Sequence, residues 1–371
     1  MSRLCVINGK APKYREAIFR EIDSKYDCDW YFGFPKTDIK SLDISLFKRA
    51  STFGYLTLFG NNSLWWKKDT ISKLFCKQYQ IYLISVESRA LSDYVFLFLK
   101  RFFFPKKKIY AWTHGWYGKE TKLEATLKLW QFRHLDGIFC YGNYARNLLI
   151  NQGLPADKIF TIHNSLDYKK QLSIRHNLSK TNIYASHFGN TAPVIIFIGR
   201  LTKIKQLNML VSAIKSLKDK GEFFNLVFVG DGEERGNLEK LASKYGINNQ
   251  VWFYGACYEE MENAELIYNS DLCVAPGNIG LTAMHTMVYG TPVISHNNFS
   301  LQMPEFEAIH PGETGDFFEY KNLQSLVETI SRWFEAHKMD RDIVRNACYK
   351  EIDNFWTPMF QMKVLSQHLN I

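Results

Sequence analysis

The 371-residue chain has no C-x-x-C pair, no run of about 18 uncharged apolar residues, and no internal repeat or low-complexity segment. Its seven cysteines, Cys5, Cys28, Cys76, Cys140, Cys257, Cys273 and Cys348, are scattered and odd in number. A disulfide framework and a cysteine-held metal are therefore not expected; buried free thiols in a reducing compartment are. Arg3, Lys10, Lys13 and Arg15 interrupt any apolar opening, so no secretory signal is expected. Without a spanning segment, the expected location is the cytoplasm, with a peripheral place on the inner face of the cell membrane. Acidic residues are in deficit: 37 Asp and Glu stand against 46 Lys and Arg, a net charge of +9 that suits anionic partners.

The 46% hydrophobic and 22% charged fractions are those of a globular protein. The length favours two cores over one. Short apolar runs at 4–7, 29–32, 80–85, 108–113, 139–141 and 159–162 predict strands, with helices at 14–24, 90–103 and 143–152 between them. Residues 35–68 lack clean periodicity and predict an irregular surface region. Residues 166–191 are polar without an apolar period. A second alternating series follows, with strands at 194–198, 226–229, 251–254, 272–275 and 292–295. Its helices fall at 207–218, 234–244, 258–269 and 281–289, and a final helical region runs from 323 to 355 and on to 369. Alternation of this kind predicts an α/β architecture of two doubly wound, Rossmann-like domains facing across a cleft. The expected division is an N-terminal domain at 1–170, a connection at 171–192, a second domain at 193–345, and a C-terminal helix at 346–371 crossing back.

Doubly wound sheets bind ligands beyond the carboxyl ends of their strands. In the second half four turns occupy such places. Gly199-Arg200-Leu201-Thr202-Lys203-Ile204-Lys205 follows one strand, and Arg200 and Lys205 can converge on phosphate. Gly230-Asp231-Gly232 follows another, and Tyr254-Gly255 a third. The fourth is the loop Gly277-Asn278-Ile279-Gly280-Leu281-Thr282, which leads into a helix start where N–H groups lack partners. Each turn alone reads as a solvated βα connection. Four in sequence point to a nucleoside-diphosphate site.

These motifs, in this order over residues 194–315, resemble the donor domain of glycosyltransferase family 4, which has the GT-B fold and a retaining mechanism. The carriers are G-R-L-x-x-x-K, V-G-D-G-x-E, V-x-F-x-G and the block from Gly280-Leu281 to Gly290-Thr291-Pro292-Val293-Ile294. The resemblance implies that Arg200 and Lys205 bind the diphosphate and that Gly280, Leu281 and Thr282 touch phosphate through their backbone. It also implies that Phe253 and Tyr254 hold the base. Gly199, Asp231, Gly277 and Asn278 complete the expected donor site. The family carries two glutamates eight positions apart in the last block; here Gly277 and His285 stand in their places. His285 has two readings, a ribose hydrogen bond through a ring nitrogen or a histidine facing the core.

In the first half, His114 lies just past a strand end in Tyr110-Ala111-Trp112-Thr113-His114-Gly115. The resemblance makes it the acceptor-side histidine lining the cleft. Gly9, in Asn8-Gly9-Lys10-Ala11-Pro12, sits where a glycine-rich loop approaches the donor. Basic and aromatic residues cluster at 65–68 and 94–108; they suit an anionic membrane surface or, equally, a core helix with a basic end. Nothing else supports nucleic-acid binding.

The expected activity is transfer of a hexose-type sugar from a nucleoside-diphosphate sugar to a glycan or lipid-linked glycan acceptor, in bacterial surface polysaccharide synthesis. No cofactor beyond the donor substrate is expected, and no metal, since neither series carries a convincing D-x-D motif. An epimerase of the same architecture and an inactive nucleotide-sugar binding protein are the alternatives.

Overall fold

The computed structural model describes residues 3–34, 40–58, 64–338 and 341–369. The chain divides into two compact units, residues 1–167 with 357–371, and residues 168–356. In the first, the strands are β1 (Arg3–Asn8), β2 (Cys28–Gly33), β3 (Ala50–Phe53), β4 (Tyr55–Leu58), β5 (Leu64–Lys67), β6 (Tyr79–Ile84), β7 (Lys108–Thr113), β8 (Gly137–Cys140) and β9 (Ile159–Thr161). Seven of them form a parallel sheet in the order β3-β2-β1-β6-β7-β8-β9. Leu4, Cys5, Val6 and Ile7 are all buried, as a strand covered on both faces requires. Much of the aromatic surplus lies in this core: Trp30 stacks on Phe32 at 5.3 Å, and Phe19 and Phe47 pack against both.

The helix Pro358–His368 belongs to this first unit. Gln361 donates to the carbonyl of His163 (2.9 Å) and accepts from Ser165 (2.6 Å), and the His368 ring stacks on Phe160 at 3.6 Å.

The second unit holds β10 (Val194–Ile198), β11 (Asn225–Val229), β12 (Val251–Gly255), β13 (Leu272–Ala275), β14 (Val293–His296) and β15 (Gly315–Phe318). They form a parallel sheet in the order β12-β11-β10-β13-β14-β15. In both sheets the chain winds one way from a central strand and then the other. The switch falls between β1 and β6 in the first and between β10 and β13 in the second, and such a point opens a crevice at the strand ends.

β15 adds a sixth strand to the second sheet where the sequence predicted none, and three further stretches depart from the sequence-based expectation. Within 35–68, of which 35–39 and 59–63 lie outside the described residues, β3 extends the main sheet and β4 pairs with β5 as an antiparallel ribbon. Their side chains are mostly half-exposed, so no apolar run marks them. The helix Lys122–Arg133 was not expected at all; it opens on a capping box between Thr121 and Glu124, a T-x-x-E signature legible in the sequence. The polar stretch 166–191 contains the helices Tyr168–Arg175 and Ile183–Phe188. Single polar anchors hold them in place of an apolar stripe: Arg175 grips Asp353 at 2.9 and 2.8 Å, and the Tyr184 hydroxyl donates to Leu266 O at 2.7 Å.

Candidate functional site

The switch point of the second sheet brings the first and last of the four turns together. Gly277, after β13, donates its N–H to Lys205 O, after β10, at 2.9 Å. The approach is so close that a Cβ at 277 would collide with the carbonyl oxygen of Ile204 and the backbone of Lys205. Position 277 therefore takes glycine, and no glutamate can occupy it in this conformation. Lys205 Nζ reaches back across the loop to Asn278, 2.6 Å from its backbone oxygen and 2.8 Å from its side-chain oxygen. Burial lowers the Lys205 pKa to about 8, Glu305 opposes that, and the positive charge of Arg200 adds to it. Arg200 is exposed beside it, and Glu305 is almost fully buried.

The loop itself is held from behind. Buried Gln302 accepts from Ile279 N (2.9 Å) and donates to Ser295 Oγ (2.8 Å) and His296 O (3.0 Å). Thr282 donates its hydroxyl to Ile198 O at 2.9 Å, beside Gly199. Gly280 adopts φ 59°. Among the described residues, the N–H groups of Gly280, Leu281 and Thr282 meet no acceptor. The helix that follows runs only from Thr282 to Met287, shorter than expected, so local N–H groups matter here more than a macrodipole. Three N–H groups without an acceptor among the described residues, the Lys205 ammonium tied to the same loop, and the charge of Arg200 near that ammonium are the chemistry a polyanion needs.

The other expected donor-site residues make contacts of their own. Asp231 closes its own turn by accepting from Gly232 N (2.7 Å). The Phe253 ring stacks on Phe228 at 5.2 Å, and the Tyr254 hydroxyl donates to Glu262. His285 is a partly exposed side chain whose Nε2 lies 3.1 Å from Glu260 Oε1. The same oxygen accepts from the Tyr289 hydroxyl (2.7 Å) and Gln171 Nε2 (3.0 Å). Burial works against the Glu260 charge, but these donors, His285 foremost, hold its carboxyl down at about 2. Sequence reasoning missed Glu260 and Gln302; neither lies in a strand-end glycine turn, and only the fold brings them here.

In the first unit, Gly9 lies at the other switch point. Its N–H donates to Ser85 Oγ (2.7 Å), its carbonyl accepts from the Tyr55 hydroxyl, and a Cβ there would collide with Glu87. Lys67 is not part of a surface patch: it is buried and holds Asp93 (2.9 Å), Glu87 (3.2 Å) and Ser85 O (2.7 Å). His114 lines a cavity of about 350 Å³ with Trp65, Glu87, Arg89, Tyr117 and Lys128. Burial, with Arg15, Lys10 and Lys128 nearby, lowers its pKa to about 4, so the imidazole is neutral at physiological pH. Its Nδ1 has no hydrogen-bond partner among the described residues. Among the described residues no three His, Cys, Asp or Glu side chains gather to hold a metal ion, and no helix is long and apolar enough to cross a membrane.

Comparison with known proteins places this geometry. Solved structures are similar along the chain: HepE of Anabaena in complex with UDP (TM-score 0.73, 15% identity, 100% of each chain) and the apo lipopolysaccharide outer core galactosyltransferase WaaB (TM-score 0.71, 15% identity, 97% of each chain). The two parallel sheets are those of the GT-B fold. Residues 180–349 match the family model for glycosyl transferases group 1. Glycogen synthase 2 of Nitrosococcus oceani is 28% identical over 176 residues, 45% of this chain and 35% of that protein. The chain thus spans about a third of that relative's length.

Proposed function

We propose that the chain is a retaining glycosyltransferase that moves a hexose from a nucleoside-diphosphate sugar to a glycan or lipid-linked glycan acceptor. Surface polysaccharide synthesis is the setting we infer, from the lipopolysaccharide enzyme among its structural neighbours. The observation that carries the reading is the polyanion site at the β10/β13 switch point, inside the segment that matches the family. UDP is the nucleotide we favour, because HepE, of the same fold, was solved with it. The unit of residues 168–356 would take the donor. The unit of residues 1–167 would take the acceptor, with His114 in the 350 Å³ cavity.

In this reading Lys205, Arg200 and the N–H groups of Gly280, Leu281 and Thr282 surround the diphosphate. As the bond from the sugar to the phosphate breaks, negative charge grows on the leaving oxygen. Fixed donors aimed there stabilise that charge without reorganising. Neutral His114 can accept or donate a hydrogen bond to an acceptor hydroxyl but carries no charge of its own. Position 277 offers no carboxylate to the donor sugar, so its hydroxyls must find other partners. The test is a panel of nucleoside diphosphates and their sugars, with binding followed by calorimetry and turnover by release of the free diphosphate. The reading expects one diphosphate to bind and its sugar to be consumed when a glycan acceptor is added. Consumption to the free epimer without acceptor, or binding without any turnover, would sink it.

A further inference from the structure

The helix Leu91–Phe103 is apolar on two faces. Its inner stripe, including Phe96 and Leu97, is buried, and Phe96 meets Tyr82 edge-on at 5.5 Å. Its outer stripe is Val95, Phe98 and Phe102 at three- and four-residue spacing, with Phe103 beside it; the three phenylalanines are 50%, 65% and 66% exposed. The Phe98 and Phe102 rings touch, their centroids 4.7 Å apart. Phe75, 59% exposed, comes from a different segment and packs edge-on against Phe104 at the end of the helix. Single exposed apolar residues are ordinary, but a contiguous aromatic patch of this kind marks an interaction surface. The outer face packs against no core among the described residues, and exposed aromatic side chains interleaved with cations suit a membrane interface.

The segments that carry the patch hold charges of one sign. Residues 70–80 and 94–108 contain no Asp or Glu. Among their cations, Lys100 and Lys108 are held by Asp136 at 2.7 and 3.2 Å, and Lys107 is buried on Cys76 O and Tyr82. Lys77, Arg101 and Lys106 are left exposed beside the phenylalanines. We propose that this face docks on an anionic lipid bilayer. The phenylalanines enter the boundary between headgroups and acyl chains, and the three cations meet lipid phosphates. A second copy of the chain is the poorer occupant, because a symmetric contact would bring the same three cations face to face. The proposal does not depend on the catalytic reading.

The experiment is co-sedimentation of the full chain with vesicles of phosphatidylcholine alone and with added phosphatidylglycerol. The protein should sediment with the anionic vesicles only and be released by molar salt, which screens exposed charges. Replacing Lys77, Arg101 and Lys106 with Gln should weaken partitioning by about fivefold per cation removed. A Phe98→Ser/Phe102→Ser variant should weaken it at least tenfold with an unchanged melting temperature. No sedimentation with either vesicle, or equal sedimentation of the wild type and both variants, overturns the proposal. So does a concentration-dependent dimer in sedimentation velocity that the Phe98→Ser/Phe102→Ser variant abolishes, since the face would then belong to a second copy.

Discussion

Lys205 Nζ lies 2.6 Å from the backbone oxygen of Asn278 and 2.8 Å from its side-chain oxygen, tying the turn after β10 to the loop after β13. The tie fixes the ammonium on the loop that carries the N–H groups of Gly280, Leu281 and Thr282, which meet no acceptor among the described residues. Because burial, with Arg200 nearby, lowers its pKa to about 8, the ammonium is present at neutral pH and lost above about 8. An anionic ligand favours the charged form, so nucleotide affinity should fall as pH rises through that value. The rate profile of kcat/KM, which reports the free enzyme, should show an alkaline limb near 8. Lys205→Arg should flatten the limb, and Lys205→Ala should cut turnover by about 10²–10³. A profile level to pH 9 would remove Lys205 from the phosphate site.

The Gly277 contact makes a second outcome predictable. Restoring the acidic residue usual in the family, Gly277→Glu, forces a side chain into the backbone of Ile204 and Lys205. Overpacking of this kind costs about 1–3 kcal/mol. The melting temperature should drop, and diphosphate affinity should drop with it, because Lys205 moves. Raised activity at unchanged stability would show that the loop adapts and that the glutamate is missed.

Three histidines, His114, His163 and His296, are driven down to about 4 by burial, with neighbouring cations assisting at His114. Their unfolded-state value is near 6.5, so between about 6.5 and 4 the unfolded chain binds more protons than the folded one. Stability from these groups is complete above 6.5 and is lost as pH falls towards 4. His296 Nδ1 accepts from Asn298 N at 3.2 Å, a role that an asparagine oxygen can take over. Thermal unfolding at pH 7 and pH 5 should therefore show a smaller acid loss in His296→Asn than in the wild type. The same loss in both would assign the acid sensitivity to other groups.

The parallel sheets were legible because their strands are short, buried on both faces and bounded by glycine turns; 194–198 and 272–275 read directly as β10 and β13. The strand-end turns were legible for the same reason, since Gly199 and Gly277 must stand at strand ends. What the sequence hid were contacts made by single side chains. Lys67 in a Trp-Trp-Lys-Lys run looks like surface, yet two carboxylates from later in the chain bury it. Glu260 opens the helix Glu260–Asn269 and carries no motif, while its partners, Gln171, His285 and Tyr289, come from far along the chain. Periodicity reports which face of an element is buried, not which polar groups meet there.

Glu260 changes the question about His285. The imidazole is not packed among apolar groups: it shares a carboxylate with Tyr289 and Gln171. With Nε2 directed at Glu260, which stays ionised down to about 2, the ring is oriented and Nδ1 is the nitrogen left for a ligand hydroxyl. His285→Leu removes both functions. Diphosphate affinity should weaken by about 0.5–1.5 kcal/mol, the net value of one hydrogen bond. The melting temperature should fall as well, because a half-buried carboxylate loses a donor. His285→Gln separates the two effects, since its amide can still donate to Glu260 but places no acceptor where Nδ1 was. Recovery of the melting temperature without recovery of affinity supports a ribose contact through Nδ1. Affinity at the wild-type value in both variants, with stability lost only in His285→Leu, would leave His285 as a structural partner of Glu260 alone.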